Sequence, residues 1–316
     1  MGSPRAIFGA VIAAHPVGRT ALHTLLAGAI DYAGLFPPAQ LGMESVLANY
    51  LEYRASADAW ALGRLVVPAV RLPELEAAVG KAGTPPPLGE LVPLSILIGA
   101  GVVEEVALVE AFEERDSGRQ TRVESVEVKA RTARQVVDVL GDIPSRWHRY
   151  IEVPAGSESD RILGAVSFAG ARAKVRTGGV TPEVFPSTRA LLAFLAAAAR
   201  RRIAFKATAG LHHALHGTYP LTYEPDPPRG RMFGYLNLAL AAAVLWKGGE
   251  GSESRAQGAL LEDVAGAVDW DESAVQWRGE RFDRQFLVGF RKNFFHGFGS
   301  CAFREPLDEL ATMASR

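Results

Sequence analysis

Ala173-Lys174-Val175-Arg176-Thr177-Gly178-Gly179 and Phe205-Lys206-Ala207-Thr208-Ala209-Gly210 are two short alternating segments, each carrying a lysine and closed by a small-residue turn. Between them, residues 187–202 are rich in Ala and Leu and suit one helix. Strand, helix and strand at this spacing predict a parallel β/α unit. A lysine toward the end of a buried strand needs an anion or a task, because an unpaired buried charge is costly.

Working outward, the same alternation covers the chain. A helical lead-in (residues 1–28, helical from about 17) precedes Ile30-Asp31-Tyr32-Ala33-Gly34-Leu35-Phe36, a first strand stopped by Pro37-Pro38. Helical spacing of Val46, Leu47, Tyr50 and Leu51 predicts a helix over 43–54, and residues 65–67 read as a buried strand before a helix over 73–79. Beyond the Pro85-Pro86-Pro87 connector come a strand over 91–98, a helix over 102–114 and a strand over 123–129. Thr132 is placed to cap a helix running to 140. Tyr150-Ile151-Glu152-Val153 then ends at Pro154, ahead of a helix over 159–168.

After Gly210 the order loosens. Residues 214–231 read as a long proline-bearing loop, 234–246 as an apolar helix, and 247–281 as polar and irregular with a helical piece over 256–264. A helix over 283–292 leads into Phe294-Phe295-His296-Gly297-Phe298-Gly299-Ser300-Cys301, the eighth strand and its exit. Eight strands alternating with helices predict one α/β domain over 1–316, a (β/α)8 barrel with a lid or insertion at 214–293 between the seventh and eighth strands. A doubly wound open sheet is the alternative.

The 316 residues carry a formal net charge of -1, which leaves no electrostatic footprint for nucleic acid or an anionic membrane. Apolar residues form 48% and charged residues 22% of the chain, a globular balance. The single cysteine, Cys301, excludes an internal disulfide framework and suits a reducing compartment. The apolar segment 6–14 is too short to span a bilayer and reads as a small packed element rather than a signal peptide, so the cytoplasm is the expected compartment. Assembly into a homo-oligomer stays open.

In a barrel the chemistry sits where strands meet their following loops. Alternation puts Lys174 and Arg176 on one side of their strand, and Lys206 and Thr208 on one side of the next. Asp31, Glu127 and Glu152 fall at equivalent heights on other strands, with Lys129 sharing a face with Glu127. Glycine turns follow three strands, at Gly178-Gly179, Gly210 and Gly299-Ser300, and such turns gather backbone N–H groups suited to a phosphate. His212 stands where it would touch a substrate. His212, His213 and His296 together with acidic residues admit a divalent metal as a rival reading.

These motifs resemble the class I aldolases of the deoxyribose-phosphate aldolase type. The Schiff-base pattern Lys-x-x-Thr-Gly of that family is matched by Lys174-Val175-Arg176-Thr177-Gly178, and Lys-Ala-x-Gly-Gly is partly matched by Lys206-Ala207-Thr208-Ala209-Gly210. The family's first-strand pattern Ile-Asp-x-Thr-x-Leu is similar to Ile30-Asp31-Tyr32-Ala33-Gly34-Leu35, without the threonine, and its Gly-Ser turn to Gly299-Ser300. The acidic residue of the fourth strand has two candidates here, Glu124 and Glu127, and Arg176 stands where the family has a small residue.

The resemblance implies a lyase with Lys174 as nucleophile, kept partly neutral by Lys206 and Arg176, and with Lys206, Asp31, Glu127 and Glu152 in the catalytic set. Arg176, Thr177, Gly178, Gly179, Thr208, Gly210, His212, Gly299 and Ser300 would bind a small phosphorylated or carboxylated carbonyl compound, with no cofactor or metal. The alternatives are a metal-dependent barrel lyase, isomerase or hydrolase, and a non-enzymatic barrel binding a small anion.

Overall fold

A computed structural model describes residues 20–82, 91–116 and 120–314. The segment 6–14 and the Pro85-Pro86-Pro87 connector lie outside the described residues. A short helix, α1 (Ala21–Leu26), precedes β1 (Ile30–Tyr32). The chain then alternates through α2 (Met43–Ala55), β2 (Leu62–Pro68), α3 (Leu72–Ala82), β3 (Val92–Leu97), α4 (Val102–Asp116), β4 (Thr121–Lys129) and α5 (Ala133–Asp142). It continues with β5 (His148–Val153), α6 (Ser159–Phe168), β6 (Arg172–Arg176), α7 (Thr188–Arg200) and β7 (Phe205–Thr208).

Beyond β7 come a hairpin, β8 (Gly217–Pro220) and β9 (Arg229–Met232), then α8 (Tyr235–Lys247) and α9 (Ser252–Leu260). Three short strands, β10 (Val268–Trp270), β11 (Ala274–Trp277) and β12 (Glu280–Asp283), precede α10 (Arg284–Asn293), β13 (Phe295–Ser300) and α11 (Arg304–Ala314). Strands β1 to β7 and β13 close a parallel barrel in the order β1-β13-β7-β6-β5-β4-β3-β2, a (β/α)8 barrel and not an open sheet.

The strand pattern explains the layers. On β6 and β7, Ala173, Val175, Phe205 and Ala207 are completely buried in the apolar layer beneath the helices. The alternate residues Lys174, Arg176, Lys206 and Thr208 turn toward the barrel axis, where they line one cavity. Helix starts obey local chemistry: Thr132, Ser187 and Asp283 each accept a backbone N–H of the first turn, at 3.1, 3.2 and 2.8 Å.

Four sequence expectations change in detail. Among the described residues the lead-in helix is Ala21–Leu26, closed by Gly28 at φ 57°, and β1 ends at Tyr32 rather than reaching Phe36. The expected loop 214–231 contains the β8–β9 hairpin. The helical piece expected over 256–264 is α9, at 252–260, and the polar stretch after it forms an antiparallel three-stranded sheet that ends at Asp283. One of its hairpins turns on Arg278-Gly279, both at positive φ (46° and 85°), which is the tight-turn geometry usually announced by Asn-Gly or Asp-Gly. Strands of three or four residues joined by an unfamiliar turn leave almost no periodic signal.

The segment 214–293 has two different locations. Tyr235 N–H donates to His213 O (2.9 Å), so α8 starts beside the exit of β7 and runs back along the barrel. At its far end Lys247 and Arg255 hold Glu280 at 2.8 and 2.7 Å, and Ala21 N–H donates to Asp271 O (2.8 Å). The three-stranded sheet therefore caps the N-terminal end of the barrel, and the hairpin region before α8 stands at the opposite mouth. Among the described residues no helix is long and apolar enough to cross a membrane.

Candidate active site

Neighbouring strands bring Lys174 and Lys206 side by side as register partners, with Glu152 opposite Lys174 on the other flank. Lys174 Nζ lies 2.6 Å from Glu127 Oε2 and 2.7 Å from Glu152 Oε2. Lys206 Nζ contacts the other oxygen of Glu127, lies 2.8 Å from Asp31 Oδ2 and donates to Ser95 Oγ at 3.1 Å. Glu127 thus bridges the two amines. Arg176 Nε reaches Glu152 Oε1 at 3.2 Å.

The cluster holds three cations (Lys174, Lys206, Arg176) against three carboxylates (Asp31, Glu127, Glu152), and all but Arg176 are buried. Balance of this kind is what makes so many buried charges tolerable. Burial works against the Glu127 carboxylate, but Lys174 and Lys206 outweigh it and hold the group well below the usual carboxylate range. Burial likewise opposes Glu152, and Lys174 and Arg176 lower it on balance. For Lys206 burial opposes the ammonium, while Asp31 and Glu127 push it above the usual lysine range. Lys174 therefore does not face Lys206 and Arg176 directly, as the sequence reading expected. The Glu127 and Glu152 carboxylates stand between the cations.

Lys174, Lys206, Asp31, Glu127 and Arg176 line a cavity of about 80 Å³, together with Gly179, Thr208, Gly210, His212 and Gly299. The cavity opens at the C-terminal ends of the strands. Thr177 is completely buried and does not line it; its hydroxyl donates to Ala209 O (2.6 Å) and so ties the turn after β6 to the turn after β7. Gly178 packs beneath the Phe185 ring, and Ser300 Oγ donates to Ala302 O (2.7 Å), so both shape turns.

The turn at Ala209-Gly210 is left-handed at both residues, with φ 64° and 71°. A β-carbon on Gly210 would lie 2.9 Å from Gly178 Cα and 2.9 Å from the Phe185 ring. Gly210→Ala is therefore expected to destabilise the protein by about 2–4 kcal/mol, from unfavourable φ and overpacking together. Chemical denaturation reads this directly, and an unchanged midpoint would refute the tight approach of the two turns.

The histidines do not converge. His212 lies at the mouth, with Nδ1 3.5 Å from Glu305 and 3.9 Å from Cys301 Sγ. Burial opposes its charge, but hydrogen bonds with Cys301 and Glu305 outweigh this and raise its pKa to about 10. His213 pairs with Glu309 and stacks on Tyr219 at 3.5 Å. His296 is the second residue of its strand, not its exit, so it sits at the opposite end of the barrel. Among the described residues no three His, Cys, Asp or Glu groups come together that could hold a metal ion.

Sequence reasoning missed Ser95 and Ser125, which form a buried relay to Glu127: Ser125 Oγ donates to Ser95 Oγ (2.7 Å), and Ser95 Oγ to Glu127 Oε1 (2.6 Å). A serine inside the apolar run of β3 was the available signal. It also missed the Arg64 backbone N–H that fixes Asp31 Oδ1 at 2.8 Å, and Cys301 as a lining residue of the cavity. Compared with protein families, curated proteins and solved structures, the chain matches none.

Proposed function

We propose that the chain is a lyase of the class I aldolase type, forming a Schiff base between Lys174 and a small anionic carbonyl compound. The observation that carries this reading is the pair of lysines on adjacent strands, joined by one carboxylate and open to one small cavity. Arg176 at the rim and the charged His212 favour a carboxylate or phosphate on the substrate. The small cavity favours a substrate of few carbons.

An ammonium cannot attack, so Lys174 must first lose a proton to one of its two carboxylate neighbours. Glu127 is retained by Lys206 as well, which leaves Glu152 the better acceptor. A substrate anion that draws Arg176 away from Glu152 removes one cation from that carboxylate and strengthens it as a base. The Nζ lone pair then adds to the carbonyl carbon and the oxygen takes a proton, giving a carbinolamine. Glu152 returns its proton to the departing hydroxyl, water leaves, and an iminium remains whose charge replaces that of the ammonium. The electron pair of the adjacent carbon–carbon bond flows into the iminium while Asp31, Glu127 or Glu152 accepts the proton of the fragment that leaves.

The test is intact-mass spectrometry after sodium borohydride reduction with a panel of aldehydes, ketones and 2-oxo acids, with and without phosphate groups. The expected result is a single adduct that maps to Lys174, its mass naming the substrate class. Absence of an adduct from every compound would overturn the Schiff-base reading in favour of a metal-dependent or ligand-binding barrel.

A further inference from the structure

The N-terminal end of the barrel holds a second cavity, of about 290 Å³, unlike the first in its chemistry. It is lined by Gly28, Arg64, Tyr150, Arg172, Arg291 and His296. Every one of these lies before its barrel strand or in the strand's first half: Gly28 precedes β1, Arg172 opens β6, Arg291 is in the last turn of the helix leading to β13, and His296 is second in β13. The cavity is thus at the opposite end of the barrel from Lys174. Tyr150 stands between the two sites. Its ring lies 4.7 Å below Lys206 Nζ, and its hydroxyl hydrogen-bonds His296 Nδ1 at 2.8 Å.

Three guanidiniums share this cavity with little to balance them. Arg64 Nε lies 3.0 Å from Glu124, but Glu124 is also engaged by Arg122, and the Asp31 oxygen 3.9 Å from Arg64 belongs to a carboxylate already paired with Lys206. Arg291 spends two donors on the carbonyls of Phe295 and Ala27, at 2.8 and 2.9 Å. Arg172 lies 5.7 Å from the centre of the Tyr150 ring. Among the described residues neither Arg172 nor Arg291 has a carboxylate within ion-pair distance. Counting Arg64, Arg172 and Arg291 against Glu124 leaves two positive charges without an anion. Burial and the three arginines also keep His296 neutral, with its pKa near 4.

A cavity reached by solvent, walled by forked donors and short of two negative charges, fits one dianionic oxyanion. We infer that the N-terminal end of the barrel binds a phosphate dianion, free or as the terminal group of a monoester, through Arg64, Arg172 and Arg291. This ligand is separate from any substrate at the Lys174 mouth. The site stands whether or not Lys174 forms a Schiff base.

Isothermal titration calorimetry of the full chain with inorganic phosphate, at about pH 8 in a chloride buffer, tests this. Arg172→Gln is expected to weaken binding by about tenfold or more, the loss of a charge-assisted pair. Arg172→Lys, which keeps the charge and loses the fork, should fall between this variant and wild type. Arg176→Gln, at the other mouth, should leave this binding unchanged, and thermal unfolding of each variant checks that it folds.

A second readout is the His296 ring, whose NMR titration is expected to move upward in pH when phosphate is bound, since an anion favours the imidazolium. Phenyl phosphate binding more tightly than inorganic phosphate would assign the site to monoesters; the reverse order would assign it to free phosphate. No phosphate binding by wild type, binding indifferent to Arg172→Gln, or binding lost in Arg176→Gln would each overturn the proposal.

Discussion

Glu127→Gln is expected to lower the unfolding free energy by about 3–5 kcal/mol, the cost of removing one member from a buried charged set. The carboxylate accepts from Lys174 on one oxygen, and from Lys206 and Ser95 on the other. An amide keeps one acceptor and turns two N–H donors toward groups that are themselves donors, leaving three cations against two carboxylates. Folding holds the Glu127 pKa below its unfolded value of about 4.3, so its contribution is present above that pH and is lost as pH falls through the lower folded value. Folding holds Lys206 above its unfolded value of about 10.4, so that contribution is full below this pH and is lost as pH rises through the folded value. The gap between wild type and Glu127→Gln should therefore be widest between about pH 5 and pH 10 and narrow in acid. Urea denaturation at neutral and acid pH measures it. A gap under about 1 kcal/mol at neutral pH would mean that Glu127 does not bridge the two lysines.

Lys174→Arg is expected to abolish borohydride-trapped adduct and to cut turnover by about a thousandfold or more, while retaining most of the stability. Arginine stays charged and never presents a neutral amine, so it keeps a cation between Glu127 and Glu152 and removes the proposed nucleophile alone. Lys174→Ala should lose the adduct as well, but should also lose stability, because two buried carboxylates are then left sharing no cation at that point. Adduct that persists in either variant would move the nucleophile elsewhere. Adduct retained in Lys206→Ala, by contrast, is the expected result, since Lys206 serves as the charge beside Glu127.

Much of the barrel was legible. Helices with apolar stripes and strands with period-two alternation carry their own signal, and α6 spans the residues its sequence pattern predicts, Ser159–Phe168. Strands β8 to β12 were not legible, because three or four residues cannot establish a period. The candidate site divides in the same way. That Lys174, Lys206, Asp31, Glu127 and Glu152 point inward follows from alternation together with the rule that barrels keep their chemistry at strand exits. The role of Thr177 as a turn fastener does not follow, because the partner of its hydroxyl belongs to the turn after another strand.

What the sequence by itself determined is which side of each strand a residue takes, and hence the set of charges that meet at the axis. Which charges touch was decided only by the closed barrel. Between β3 and β4 the register slips by one residue, pairing Leu94 with Val123 but Ser95 with Ser125. That bulge sends Glu124 to Arg64 and Arg122, and brings Ser125 and Glu127 to Ser95 and the lysines. Alternation assigns a face to each side chain, but the stagger of eight hydrogen-bonded strands sets its height along the axis. Height is a property of neighbouring strands, and no single stretch of sequence contains it.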